Sequence, residues 1–86
     1  MPPEDITKRL RARPFEPFRV CLTDGTSYVV PHPELLMVGR RSAVLGIVRQ
    51  PQDIYYFKTI DIDLLHIIRL EPADNPKTPT EAEKSS

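Results

Sequence analysis

The chain has 86 residues, 28% charged and 40% hydrophobic, which is ordinary for one small folded domain. Twelve basic and twelve acidic side chains balance, whereas nucleic-acid-binding domains usually carry a strong basic excess. No apolar run is long enough to cross a bilayer, no signal-peptide core is present, and Cys21 has no second cysteine to pair with. We therefore expect a soluble protein of the reducing cytoplasm.

The C-terminal segment has a different composition from the rest. Residues 71–86 contain three prolines, two lysines and four acidic residues, and their other apolar side chains are Ala73 and Ala82. Such a segment cannot bury enough surface to offset the entropy of ordering it. We predict a folded domain over residues 1–72 and a disordered tail over residues 73–86, whose removal should leave stability nearly unchanged.

The first predicted element is a helix over about residues 3–12. Ile6 and Leu10 are four residues apart and share a face. Glu4 lies near the positive end of the helix dipole, and arginines lie near the negative end. Pro14 ends the helix, because proline lacks the N–H that a helix interior needs.

A β-hairpin is predicted over residues 18–30. Phe18, Val20 and Leu22 alternate with more polar residues, as in a half-buried strand. The following Asp24-Gly25 pair is typical of a tight turn, and residues 26–30 form the return strand.

The remaining elements are predicted to be short strands. One helical turn begins at Pro33, and residues 61–63 form a break between the last two strands. Apolar residues on both faces of the last strand indicate that it is central or covered by the helix. The predicted extended segments are 37–39, 43–48, 54–60 and 64–70. Residues 37–48 are compatible with either one bent strand or a hairpin.

The predicted fold is mainly β, with a short N-terminal helix, about five strongly bent antiparallel strands and the disordered tail. Regularly spaced short strands after an early hairpin favour a small closed or nearly closed barrel.

Part of the chain resembles a group of short, uncharacterised bacterial proteins. The resemblance is carried by residues 13–20, 22–25, 32–34 and 65–72, which read RPFEPFRV, LTDG, HPE and LHIIRLEP. It implies no biochemical activity.

The order of elements is also similar to the Sm-like barrel of the bacterial RNA chaperone family. That family forms rings and binds RNA through aromatic, polar and basic residues. Its lysine–histidine pair has no clean match here, since Lys58 is followed by Thr59 and His66 comes eight residues later. SH3-like barrels have a similar strand count, and fold likeness alone does not define function.

Cysteine, histidine and acidic side chains are the candidates for catalysis or metal binding. Cys21 lies on a strand, and no base is placed beside it in a known nucleophile motif, so we interpret it as a structural thiol. His32, Glu34 and His66 are suitable ligand types but lack paired metal-ligand spacing. We interpret His32 as part of a Pro-His-Pro corner and His66 as a partly buried, hydrogen-bonded strand residue. Asp61 is assigned to a turn.

Basic and aromatic residues give a second set of candidates. Where aromatic and basic residues alternate, the rings are able to stack on the bases of single-stranded RNA and the basic groups to neutralise its phosphates. The simpler interpretation, which we prefer, is that Tyr55 and Phe57 belong to the core while Arg40 and Arg41 solvate a turn. A second basic cluster lies in the helical segment, at Lys8, Arg9, Arg11 and Arg13. The candidates for contact with a nucleic acid or another partner are Arg40, Arg41, Arg49, Lys58, Tyr56 and His32.

No phosphate-binding loop, catalytic carboxylate pair or nucleophile elbow is present. The leading hypothesis is a non-enzymatic binding or assembly module without a cofactor, which binds an unknown protein partner or itself. The alternative is an Sm-like ring that binds RNA. A third hypothesis gives a redox or metal role to Cys21 or the histidines.

Overall fold

A computed structural model describes residues 1–73 of the chain. The tail prediction for residues 74–86 lies outside the described residues. In chain order the elements are α1 (Pro3–Arg11), β1 (Phe18–Leu22), β2 (Ser27–Val30), a first 3₁₀ turn (Pro33–Leu35), β3 (Leu36–Val38), β4 (Ser42–Ile47), β5 (Lys58–Asp63), a second 3₁₀ turn (Leu64–His66) and β6 (Ile67–Pro72). The described part is mainly β with a short N-terminal helix, as predicted, and it has six strands instead of about five.

The strands form two antiparallel sheets of three strands each. Sheet A has the order β2-β1-β6, and sheet B has the order β3-β4-β5. The chain crosses between the sheets twice, each time through one of the 3₁₀ turns. Over residues 1–73 no strand pairing joins sheet A to sheet B, so no closed barrel is found.

The core lies between the two sheets and is closed on one side by α1. Phe18 and Val20 of β1 and Leu45 of β4 are fully or almost fully buried, and Ile6 of α1 is buried with them. Burial of each such side chain contributes about 1.5–3 kcal/mol. This burial accounts for the period-two pattern of β1 and for the apolar face of the helix.

Helix α1 and the first hairpin confirm the sequence predictions. In the hairpin, the Gly25 N–H donates to the Leu22 carbonyl at 3.1 Å, and the Leu22 N–H donates to the Thr26 carbonyl at 2.8 Å. Gly25 has φ of 92°, a conformation that side chains with a Cβ rarely adopt. None of the helices formed by residues 1–73 is long and apolar enough to cross a lipid bilayer.

Residues 37–48 form a hairpin. Leu36 pairs with Leu45, Val38 pairs with Ala43, and the Gly39 N–H closes the turn by donating to a carbonyl at 2.8 Å. The structure therefore selects the hairpin from the two arrangements that the sequence left open.

The strand predicted over residues 54–60 is displaced. β5 begins only at Lys58 and continues to Asp63, so the break predicted at residues 61–63 is wrong. Ile60 and Ile62 face the core while Asp61 faces outward, because a strand places alternate residues on opposite faces. The apolar run before Lys58 leaves the sheet and forms a loop.

The last strand also differs from its prediction. Leu64 and Leu65 belong to the second 3₁₀ turn, where the Asp63 carboxylate accepts from the Leu65 N–H at 2.9 Å. β6 lies at the edge of sheet A, so of the two predicted arrangements, a central strand or one covered by the helix, the central one is wrong. The sequence places apolar residues on both faces of the predicted strand because Leu64 and Leu65 lie in a turn. This turn buries Leu64 and exposes Leu65.

The folded body extends one residue beyond the predicted domain boundary at residue 72. Ala73 is buried, and its N–H donates to the Pro17 carbonyl at 3.1 Å. The backbone is therefore held through Ala73.

We predict that Val20→Asp will abolish folding. Val20 is 1% exposed, and a carboxylate there has no cationic partner in the apolar core. Burying an unpaired charge costs at least about 3 kcal/mol, a large part of the stability of a small domain. Circular dichroism and urea titration will measure the loss. Met37→Asp is the matched control, because Met37 lies on a strand but is exposed; equal destabilisation by both changes would contradict the assigned core.

Candidate functional site

The most prominent exposed apolar surface lies between β4 and β5. Residues 49–57, here called the aromatic loop, contain four consecutive apolar side chains. Ile54 is 59% exposed, Tyr55 84%, Tyr56 60% and Phe57 46%. The assignment of Tyr55 and Phe57 to the core is therefore wrong, because the chain leaves the sheet before these residues and directs them to solvent.

Backbone hydrogen bonds hold the aromatic loop in place. The Phe57 N–H donates to the Ile47 carbonyl at 2.9 Å and extends the β4–β5 pairing by one bond. Within the loop, the Asp53 N–H donates to the Gln50 carbonyl at 3.0 Å, and the Gln50 N–H donates to the Asp53 carboxylate at 3.2 Å. The exposed rings are thus carried on an ordered segment, which lowers the entropy lost when a ligand binds.

Tyr56 lies over Gly46 on the outer face of sheet B. A Cβ added at Gly46 would lie 3.0 Å from the Tyr56 Cβ and 3.2 Å from Cδ2 of Leu35. The absence of a side chain at Gly46 therefore lets the aromatic loop fold back onto the sheet.

Two cations flank Phe57. The Arg49 guanidinium carbon lies 4.2 Å from the centroid of the Phe57 ring, and the Lys58 ammonium lies 5.7 Å from it. Exposed cation–π pairs of this kind contribute about 0.5–1 kcal/mol each. Two of the predicted candidates, Arg49 and Lys58, therefore lie at one ring, and a third, Tyr56, directly precedes that ring in the chain.

His32 supports the same loop from sheet A. Its Nε2 lies 2.9 Å from the Pro51 carbonyl oxygen. A carbonyl only accepts hydrogen bonds, so Nε2 carries the proton and donates. His32 is half-buried, and it ties the first turn of the loop to the residues that follow β2.

Arg40 and Arg41 do not join this group. They lie in the β3–β4 turn, beside the Ser42–Asp63 pair, whereas Lys58 pairs with Ile47 at the other end of β4. Five residue steps along a strand separate the two ends by about 17 Å. These two arginines and Lys58 therefore do not share one patch, and the preferred interpretation, in which Arg40 and Arg41 are solvated in a turn, is confirmed. The Arg41 carbonyl instead accepts from the Leu64 N–H at 2.9 Å.

Cys21 lies on the outer face of sheet A, at a shallow cavity of about 300 Å³. It pairs with Ser27 on one side and Arg69 on the other. Burial raises the pKa of the Cys21 thiol, and the nearby Glu71 carboxylate raises it further. The hydrogen bond from Arg69 lowers the pKa of Glu71. At neutral pH Cys21 is therefore a neutral thiol, which is a poor nucleophile.

The two histidines are far apart. His66 is exposed in the second 3₁₀ turn, and its Nδ1 lies 3.4 Å from the Thr23 hydroxyl, so its assignment to a partly buried strand face is wrong. Thr23 follows β1 and His32 follows β2, at opposite ends of one hairpin about 16 Å long. Within residues 1–73 no group of three or more histidine, cysteine or acidic side chains is arranged to hold a metal ion.

The sequence prediction missed Ile54 as a surface residue. The sequence does contain a signal for the surface position of this run. Residues 54–57 are all apolar, whereas polar and apolar residues alternate strictly after Lys58. Only the alternating part has the period of a half-buried strand.

Comparison with known proteins identifies no relative. No family model matches the chain, and neither a curated protein nor a solved structure matches it. The geometry of the molecule is therefore the basis for any functional conclusion.

Gly46→Ala is expected to destabilise the protein by about 1–3 kcal/mol, because the new methyl group overlaps Tyr56. Urea denaturation will measure the free energy of unfolding. Tyr56→Gly removes the contact with Tyr56 but leaves the contact with Leu35. In a Tyr56→Gly background, the destabilisation caused by Gly46→Ala should therefore be smaller by about 1 kcal/mol. An equal cost in both backgrounds would show that Tyr56 does not pack on Gly46.

The Cys21 thiol is expected to react with an aromatic disulfide reagent on the order of a hundredfold more slowly than an exposed thiol at pH 8. The matched control is Thr23→Cys in a Cys21→Ala background, which moves the thiol two residues to an exposed site. Comparable rates for the two thiols would exclude the buried position.

The raised pKa of Cys21 also predicts a pH dependence. The folded state holds the thiol proton more tightly than the unfolded state, so this contribution to stability is complete below the ordinary thiol pKa of 9.0. It is lost as the pH rises above that value. Urea titrations between pH 8 and pH 10.5 should show a decline that is smaller in Cys21→Ala, and parallel curves would contradict this assignment.

Proposed function

We propose that the chain is a non-enzymatic interaction module that binds a protein partner through the aromatic loop. The observation that carries this proposal is the run of exposed apolar side chains from Ile54 to Phe57, held on an ordered loop. Large contiguous apolar patches are uncommon on soluble proteins and often mark interaction sites.

The composition of the loop fits protein recognition. Tyrosine, phenylalanine and arginine are enriched in protein interfaces, and tyrosine and arginine often contribute most of the binding energy. Tyr55 is the most exposed of the aromatic residues, and Arg49 lies over the ring of Phe57. A partner that covers Tyr55 and Tyr56 would desolvate both rings at once.

A non-enzymatic role is supported by the chemistry of the nucleophilic side chains. Burial keeps Cys21 protonated. The hydroxyl of Thr23 and Nδ1 of His66 are 3.4 Å apart on two exposed side chains, which is long for the proton transfer that activates a nucleophile.

The proposal includes a small barrel of the Sm-like or SH3-like type. In its support, two three-stranded sheets enclose one core, and single 3₁₀ turns carry the chain between them. Such a scaffold presents its connecting loops at the ends of the sheets, where the aromatic loop lies.

Affinity capture with a Tyr55→Ser variant tests the protein-binding proposal. At least one protein retained from a cell extract by the wild-type chain should be lost with Tyr55→Ser. Calorimetry with that purified protein should give a Kd at least about tenfold weaker for the variant, since one interfacial tyrosine contributes more than about 1.4 kcal/mol.

Leu65→Ser is the matched control. Leu65 is 83% exposed but lies beyond the opposite end of β5 from the aromatic loop. It should bind as the wild type does. Equal loss with Leu65→Ser, or unchanged binding by Tyr55→Ser, would refute the assignment of the loop as the binding surface.

An RNA-binding ring is the second candidate function. It is favoured by the exposed Tyr55 ring, which offers a stacking platform, and by Arg49 and Lys58 at the ring of Phe57 in the same loop. The edge strands β5 and β6 offer backbone groups for pairing between copies.

Light scattering after size exclusion separates the two candidates. A ring of about six or seven copies that binds single-stranded RNA with a strong salt dependence would favour the second. Arg49→Ala with Lys58→Ala should then weaken binding more than Arg40→Ala with Arg41→Ala, because only the first pair lies beside the rings. A monomer or dimer without RNA affinity at low salt would exclude the RNA-binding ring.

A further inference from the structure

We propose that the aromatic loop binds a polyproline II segment, and that its resident occupant is the C-terminal segment of the same chain, residues 74–83. This inference rests on the proposed function, since it names the kind of ligand that the same surface takes. It is drawn from where the folded body ends, the length of chain beyond it and the sequence of that chain.

The chain leaves sheet A on the side of the aromatic loop. β2 and β6 both pair antiparallel with β1, so they run parallel to each other and leave the sheet at the same end. Phe18 pairs with Val30 on one side and Pro72 on the other, and two strand spacings separate those partners by about 10 Å. The last described residue, Ala73, extends from this end of the sheet.

The aromatic loop is anchored at that same end. His32 is two residues beyond Val30, and its Nε2 donates to the Pro51 carbonyl at 2.9 Å. One end of the sheet therefore carries the start of the C-terminal segment and the anchor of the loop.

The C-terminal segment has the length and the prolines that this surface requires. Pro76 and Pro79 are three residues apart. A polyproline II helix has three residues per turn, so both proline rings would lie on one side of it. The six residues from Asp74 to Pro79 span about 19 Å at 3.1 Å per residue, which exceeds the distance of about 10 Å between the ends of β2 and β6.

The chemistry of the two partners is complementary. Polyproline II segments dock on exposed aromatic rings, and little conformational entropy is lost because the ligand is already extended. Tyr55 and Tyr56 supply such rings. Glu81 and Glu83 follow the prolines, and Arg49 and Lys58 lie at the ring of the adjoining Phe57, so the segment and the loop carry opposite charges.

Tethering makes a weak contact effective. A short linker gives an effective concentration in the millimolar range, which populates a complex whose separate parts would bind only at millimolar concentration. An external partner must then displace the segment, so the segment lowers the apparent affinity of the loop for that partner by about two- to fivefold.

The test is nuclear magnetic resonance of the full-length, ¹⁵N-labelled chain. Pro76→Ala with Pro79→Ala should shift the amide signals of Tyr55, Tyr56 and Phe57 relative to the wild type. Thr78→Ala with Thr80→Ala is the matched control, because it alters the same segment and keeps both prolines. Unshifted loop signals in the proline variant would overturn the proposal.

A spin label gives an independent measurement. Placed on Ser85→Cys in a Cys21→Ala background, it should broaden the amides of Tyr55 and Tyr56. Isotope-labelled chains diluted in unlabelled chains should show the same broadening, since the contact lies within one molecule. Broadening that needs a second copy, or that stays confined to residues near Ala73, would overturn the assigned occupant.

The two proposals fail in different ways. If the aromatic loop binds an external protein but its amide signals do not shift in the proline variant, the proposed function stands and this inference is refuted. If the proline changes shift the loop signals but no protein is lost with Tyr55→Ser, the inference stands and external binding falls. When both hold, the proline variant binds the partner about two- to fivefold more tightly than the wild type.

Discussion

The burial of β1 is the constraint on which the rest of the molecule depends. β1 is the central strand of sheet A, and Phe18 and Val20 point from it into the core between the sheets. Because both neighbours pair antiparallel with it, they leave the sheet at one end. The position of His32, and through it the anchor of the aromatic loop, follows from this arrangement.

The exposed aromatic residues follow from the small size of the body. A domain of this length has a small core, since the fraction of surface buried on folding rises with chain length and is low in a short chain. The inner face of sheet B is filled by leucine, isoleucine and alanine side chains. The apolar run before Lys58 therefore remains outside, where Gly46 leaves room for Tyr56 and Arg49 stacks on Phe57. The surface that this creates is the basis of both functional proposals.

The opposite face of the molecule shows how burial limits chemistry. Cys21 is 6% exposed beside Glu71, and desolvation and negative charge both disfavour the thiolate. Arg69 in turn stabilises the Glu71 carboxylate. The same small sheet thus holds its only thiol in an unreactive form, while the loop at its end presents aromatic rings to solvent.

Local patterns determined the helix over Pro3–Arg11 and the first hairpin, because the charges at the helix ends, the spacing of apolar residues and an Asp-Gly turn are properties of neighbouring residues. The tertiary structure alone decided the hairpin at residues 37–48 and the edge position of β6. It also separated Arg40 and Arg41 from Arg49. An unbroken apolar run such as residues 54–57 has no periodicity from which a core position or a surface position could be predicted. Which side chains come together depends on strand pairings between distant parts of the chain.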